Sequence, residues 1–139
     1  MSQKEFDKAE FVAKAQELLA NKLLNKALMD SLPYPAMLIR KDRKIIMANK
    51  VATELGVEVG SYCWDTFGKQ ASISDEDKEY YNKNNAAPPK GIKCSFCRAD
   101  EALKSQRAIN EKIPAGEITY DTFWAPLTDD VYLHYAIVL

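Results

Sequence analysis

Two prolines two positions apart, in Ser31-Leu-Pro-Tyr-Pro35, divide this chain into parts that obey different periodicities. Proline lacks a backbone donor and restricts the residue before it, so the pair ends any helix that reaches it. Upstream, no Gly or Pro interrupts residues 1–32. Phe11, Val12, Ala15, Leu18, Leu19, Leu23 and Ala27 recur there mostly at three- and four-residue spacings, which predicts one long amphipathic helix from about Ser2 to Asp30. Ser2 and Glu5 match a capping box at its start. The adjacent pairs Leu18-Leu19 and Leu23-Leu24 make the apolar stripe wider than a heptad seam, so a bundle is expected rather than a long zipper. The helix either folds back on its own domain or packs against its copy in a homodimer, and the dimer is the favoured expectation.

Downstream, the pattern is one of short elements. Strands are expected at Ala36 to Arg40 and Lys44 to Ala48, with Lys41-Asp-Arg43 as a polar hairpin turn. Asn49 can cap a brief helix from Lys50 to Leu55 that Gly56 ends, and Gly60 opens another short helical stretch through Trp64 and Phe67. Residues 69–92 read as a polar surface excursion in which Ser74-Asp-Glu-Asp77 starts one turn of helix. Asp100 to Ser105 has helical character. Three strands follow, at about Ala108 to Ile113, Glu117 to Ala125 and Val131 to Leu139, with turns at Pro114-Ala-Gly116 and Leu127-Thr-Asp-Asp130. Alternation puts Ile118, Tyr120 and Trp124 on one face of their strand, and Leu133, Tyr135 and Ile137 on one face of the next. One sheet face is expected to pack under the helices with Met37, Ile39, Ile46 and Phe67. That same space can hold a ligand, with Met47, Phe67, Trp124 and His134 as candidate cavity lining.

Composition narrows the function classes. Nineteen basic residues against twenty acidic ones leave no electrostatic reason to expect nucleic acid. No apolar run approaches the ~20 residues that span a bilayer, and Met1-Ser-Gln-Lys-Glu-Phe6 has no apolar core of a secretory signal. Three cysteines, an odd number, argue against a disulfide framework, so the expectation is a cytoplasmic protein with reduced thiols. There is no Gly-x-Ser-x-Gly elbow, phosphate loop or dinucleotide fingerprint, and an enzyme is not expected. The carboxylates Asp75, Glu76, Asp77 and Glu79 read as a solvated surface.

The cysteines carry the remaining chemistry. Cys94 and Cys97 have the spacing of a metal knuckle, and Cys63 can approach them if the excursion folds back. A structural zinc takes four ligands, and His134, Asp65, Asp100 or water could supply the fourth. Packed reduced thiols and a thiol–disulfide switch stand beside that reading. Covalent haem requires Cys-x-x-Cys-His, and Arg98 occupies the last position. A cysteine-ligated iron–sulfur cluster lacks its fourth cysteine. Non-covalent haem on His134 competes with a hydrogen-bonded structural histidine, which a strand position favours. The cofactor stays unknown, with zinc a candidate.

The order strand, strand, short helices and three strands resembles that of a PAS domain. Ser31-Leu-Pro-Tyr-Pro-Ala-Met-Leu-Ile39 is similar to the entry into the first PAS strand, and Lys44-Ile-Ile-Met-Ala-Asn-Lys-Val-Ala52 to the second strand running into an "A-N-x-A" helix start, with the alanine one residue later. Gly60-Ser-Tyr-Cys-Trp64 resembles the "G-x-x-C" helix of a cysteine-bearing PAS variety that often carries a later Cys-x-x-Cys. Phe123-Trp-Ala-Pro126 and Tyr132-Leu-His-Tyr-Ala-Ile137 are similar to the last two strands.

The resemblance implies an α+β fold, a five-stranded antiparallel sheet with short helices on one face, in residues 29–139 behind an N-terminal helix in residues 1–28. It implies a sensory module that responds to a small ligand, a metal or a redox state and relays it through dimer contacts to a downstream signalling domain or protein. A purely structural interaction domain and a thiol-based oxidoreductase are the alternatives. PAS domains commonly continue through an Asp-x-Thr junction into an output helix. Ala136-Ile-Val-Leu139 stops short of one, which fits either a stand-alone domain or the front of a longer protein.

Overall fold

In the computed structural model, which describes residues 7–66 and 72–139, the helical periodicity ends at the Pro-Tyr-Pro break. Helix α1 runs Lys8–Asp30, with Asp7 as its N-cap: the Asp7 side chain accepts from Glu10 N. The described helix therefore starts later than Ser2, and the expected Ser2–Glu5 capping box lies outside the described residues. Only Met29 of α1 is buried. The remaining apolar residues, Phe11, Leu18, Leu19, Leu23, Leu24 and Leu28 among them, are exposed, Leu18 by 70%. A helix of this length spans about 34 Å, and its last turns touch the short helix Lys50–Glu54 and the strand before it. There, Lys26 Nζ donates to Ala48 O at 3.0 Å, and Asp30 Oδ1 accepts from Lys50 N at 2.7 Å.

The strands are β1 (Ala36–Arg40), β2 (Ile45–Ala48), β3 (Ile109–Ala115), β4 (Ile118–Pro126) and β5 (Val131–Val138), in the order β2-β1-β5-β4-β3, every pair antiparallel. The helices are α2 (Lys50–Glu54), α3 (Cys63–Thr66), α4 (Asp75–Asn84) and α5 (Ala99–Ser105). Ala52 of α2 and Ala99 and Ala102 of α5 pack with Met37, Ile39, Ile45, Trp124 and Tyr132 in the main core. Small residues on the helices let their backbones approach the sheet closely. A second cluster of Trp64, Ile73 and Ile92 fills the space behind α3.

Register decides which residues face that core. Met37 pairs with His134, Ile39 with Tyr132, and Trp124 with His134, so Tyr132, His134 and Ala136 are the residues of β5 on the helix side. Leu133, Tyr135 and Ile137 lie on the opposite face, where Tyr135 stacks on Phe123 at 4.6 Å. A bulge between Leu38 and Ile39 shifts β2 by one residue, pairing Ile39 with Ile45. Ile45 is thus fully buried while Ile46, the expected core residue, is exposed. Met47 pairs with Leu38, on the face away from Met37, and does not line the space under the helices.

Two further expectations are corrected. The excursion holds a ten-residue helix, α4, rather than one turn, because Ser74 caps it by accepting from Asp77 N and acids fill its first turn. Its Tyr81 stands edge-on to Trp64 at 4.7 Å and donates to Asp65 Oδ2 at 3.2 Å, which gives a very polar helix one apolar anchor. Strand β3 also continues through Pro114, which pairs with Thr119. Proline is tolerated there because β3 is an edge strand. The β3–β4 turn shrinks to Gly116-Glu117, with Gly116 at φ 67°.

Candidate functional site

Two neighbouring sites form on the helix side of the sheet. The first gathers the cysteines. Cys63 begins α3, where its N–H donates to Arg43 O at 2.9 Å, and Cys94 and Cys97 close a turn in which Cys97 N donates to Cys94 O at 3.0 Å. Ser95 N donates to Ser72 O at 2.8 Å, which joins the two ends of the excursion, and Cys94 packs with Cys63 on the cluster that holds Trp64 of α3. Cys63 touches both core clusters, Cys97 the main one and Cys94 the second. Burial pushes the Cys63 thiol well up, with Cys94 and Cys97 adding to the shift. Burial also raises Cys94, helped by Cys97, to about 11. Both are protonated thiols at neutral pH.

Among the described residues, no three His, Cys, Asp or Glu side chains are arranged to hold a metal ion. Cys63, Cys94 and Cys97 pack against the two apolar clusters, near enough for Cys94 and Cys97 to shift Cys63, while His134 Nδ1 is engaged with Phe123 O. The alternative fourth ligands are likewise committed: Asp65 accepts from Tyr81, and Asp100 pairs with Arg43 and Lys93.

Arg43 is the residue that reading the chain as a polar turn misses. It has a left-handed backbone, φ 78°, and is only 3% exposed. Its guanidinium enters the fold, donates to Lys41 O and to Asp100 Oδ1 at 3.0 Å, and lies 5.9 Å from the Tyr132 ring centroid. Among the described residues, its Nε is buried without a hydrogen-bond partner. Burial works against its charge but is outweighed by Cys97, Tyr132 and Asp100, so the guanidinium stays protonated. A strained, buried cation beside three thiols fixes α5 and the cysteine turn to the β1–β2 hairpin.

Thiol alkylation checks this arrangement. A shift from 9.0 to about 11 lowers the thiolate fraction of Cys94 roughly 100-fold. With iodoacetamide at neutral pH, Cys94 is expected to react about that much more slowly than an open thiol, and Cys63 more slowly still. Peptide mass spectrometry over time gives the order; faster labelling of Cys63 than of Cys94 contradicts it.

The second site is a cavity of about 300 Å³ beside the cysteine turn, whose walls include Met37, Cys94, Phe96, Tyr120, Thr122 and His134. His134 Nδ1 lies 3.0 Å from Phe123 O, and the ring stacks on Trp124 at 5.3 Å. Burial lowers the His134 pKa to about 4, with nearby Arg43 adding to the effect and the Phe123 hydrogen bond opposing it. The imidazole is therefore neutral. Of the residues expected to line a cavity, His134 does so. Trp124 is instead fully buried in the core beneath it, Met47 is on the other face, and Phe67 lies outside the described residues. Thr122, buried on β4, is a polar wall that alternation alone did not single out.

No protein-family model and no curated protein matches the sequence. Solved structures match the fold. The chain aligns with a sensory box sensor histidine kinase from Vibrio cholerae at 14% identity over 99% of each chain, with a TM-score of 0.51. It aligns with a domain of an HTR-like protein from Haloarcula marismortui ATCC 43049 at 13% identity, over 78% of this chain and 99% of that one, with a TM-score of 0.52. At these identities the likeness is one of architecture. The chain has the PAS fold, a five-stranded antiparallel sheet with helices, preceded by a long helix. No helix among the described residues is long and apolar enough to cross a membrane.

Proposed function

We propose that this domain is a sensory signal-transduction module whose input site is the cavity and whose output element is α1, paired with α1 of a second copy. The observation that carries the reading is the junction between the two. Pro35 and Met37 line the cavity, while Asn49 donates to Tyr34 O at 2.8 Å and to Met29 O at 3.0 Å. A change in the cavity wall is therefore transmitted through five residues to the end of α1. The neighbours in fold support the reading by being, in one case, a sensor histidine kinase.

A second copy is the partner that suits α1. An isolated helix gains most of its stability from packing an apolar face, and this one leaves Leu18, Leu19, Leu23 and Leu24 uncovered. Its charges nearly cancel, four lysines against three acids in Lys8–Asp30, and two of the lysines pair within the helix. Such a surface does not select a strongly charged partner and does not repel its own copy. Replacing Leu18, Leu19, Leu23 and Leu24 with glutamate in the full chain is expected to convert a dimer to a monomer in analytical ultracentrifugation. Near-UV circular dichroism of the sheet domain should not change. An unchanged dimer mass removes α1 as the interface.

A further inference from the structure

We infer that the cavity takes an uncharged aromatic molecule of one or two rings that carries a hydroxyl group, held between Thr122 Oγ1 and His134 Nε2. The inference rests on the reading of the cavity as the input site. Size comes first. A cavity of ~150 Å³ accommodates benzene, and this one, at about 300 Å³, is twice that and sits at the small end of ligand sites. The walls come next. Met37, Phe96, Ile113 and Tyr120 offer sulfur, aromatic and aliphatic surface, and among the described residues no Lys, Arg, Asp or Glu lines the space. A charged ligand would lose its hydration and meet no counter-charge.

The polar groups specify the rest. Phe123 O is a carbonyl and can only accept, so the hydrogen between it and His134 is carried by Nδ1. Nε2 is then an acceptor. Thr122 and His134 both line the cavity, and neither His134 Nε2 nor the Thr122 hydroxyl is a sealed, unpaired polar atom of the described residues, so both groups are open to the cavity space. Thr122 pairs with Ala136 and Trp124 with His134, which makes Thr122 and His134 diagonal neighbours on one sheet face. An acceptor beside a group that both donates and accepts is complementary to a hydroxyl, which donates to Nε2 and accepts from Oγ1. A carboxylate presents two acceptors to Nε2 and is rejected.

Three probes with the same rings separate the elements of this assignment: 2-naphthol, naphthalene and 2-naphthoate, each titrated into the full chain by calorimetry, with Cys94 alkylation followed in parallel. The expected result is binding of 2-naphthol with slowed labelling of Cys94, which lines the same cavity. Naphthalene should bind about tenfold more weakly, and 2-naphthoate on the order of 100-fold more weakly. Thr122→Val should bring 2-naphthol down to the naphthalene level while leaving naphthalene unchanged; thermal unfolding of the variant checks that it is folded. If naphthalene or 2-naphthoate matches 2-naphthol, the ligand class is overturned and the cavity stands as a binding site. If none of the three binds or alters Cys94, the reading of the cavity as the input site falls with it.

Discussion

Asn49→Ala should destabilise the domain by about 4 kcal/mol, enough to unfold much of a protein whose total stability is ~5–15 kcal/mol. The side chain is fully buried and makes four hydrogen bonds. Its Oδ1 accepts from Ala36 N at 3.0 Å and from Ala52 N at 2.9 Å, and its Nδ2 donates to Met29 O and Tyr34 O. The Ala52 bond is an N-cap, worth ~1 kcal/mol. The other three contribute about 1 kcal/mol each, and truncation leaves their backbone partners unpaired in the interior. Asn49→Asp keeps both accepted bonds but loses both donated ones and buries a charge, so it should be no milder. Urea denaturation of the two variants measures the effect. A loss below about 1 kcal/mol for Asn49→Ala would show that the end of α1 is held by other contacts.

Stability should fall by about 2 kcal/mol between pH 7 and pH 5, through His134. In the unfolded chain this histidine titrates near 6.5, and in the folded chain near 4. Below pH 6.5 the unfolded state takes up a proton that the folded state refuses, so the balance shifts toward unfolding. The penalty grows to about 3 kcal/mol near pH 4 and then levels off. The groups facing the imidazole do not reverse this, since Trp124 stacks on it and Arg43 repels a second positive charge. The carboxyl groups held low by basic partners, Asp30 by Lys26, Asp42 by Arg40 and Asp100 by Arg43, lose their stabilisation only at lower pH, as they protonate. The window above pH 5 therefore isolates the histidine. In His134→Gln the pH 7 to pH 5 difference should largely vanish; a variant that keeps it would assign the acid limb to another group.

How much of this was legible in the chain depended on whether a local rule was in force. The Pro-Tyr-Pro break, the Asn49 cap and the alternating strands obey backbone rules that need no tertiary knowledge, and the elements they predict are present. The choice of sheet face was not legible on β5, because Leu133, Tyr135 and Ile137 are as apolar as Tyr132, His134 and Ala136. Neighbouring register decides it, through the pairing of Met37 and Trp124 with His134. The bulge at Leu38/Ile39 likewise exchanged Ile45 for Ile46 with no signal in the residues themselves. Arg43 was hidden for a different reason: a charged residue in a three-residue polar turn reads as solvated, and only the approach of α5 buries it. The cysteines were visible as neighbours across a long excursion, but spacing could not say that burial keeps Cys63 and Cys94 protonated.

Both margins of the sheet carry features that oppose strand addition. On the β2 side, Ile45 N donates to Ser61 O, Gly60 N to Ile45 O and Cys63 N to Arg43 O, so a neighbouring segment already occupies the edge. On the β3 side, Pro114 removes a donor, and Glu111 and Lys112 place charge along the margin. A chain that accumulates in the cell is thus guarded against the edge-to-edge stacking that seeds fibrils. Such edges favour contacts between copies through helix or sheet surfaces, which can be made and released without rewriting any backbone pairing.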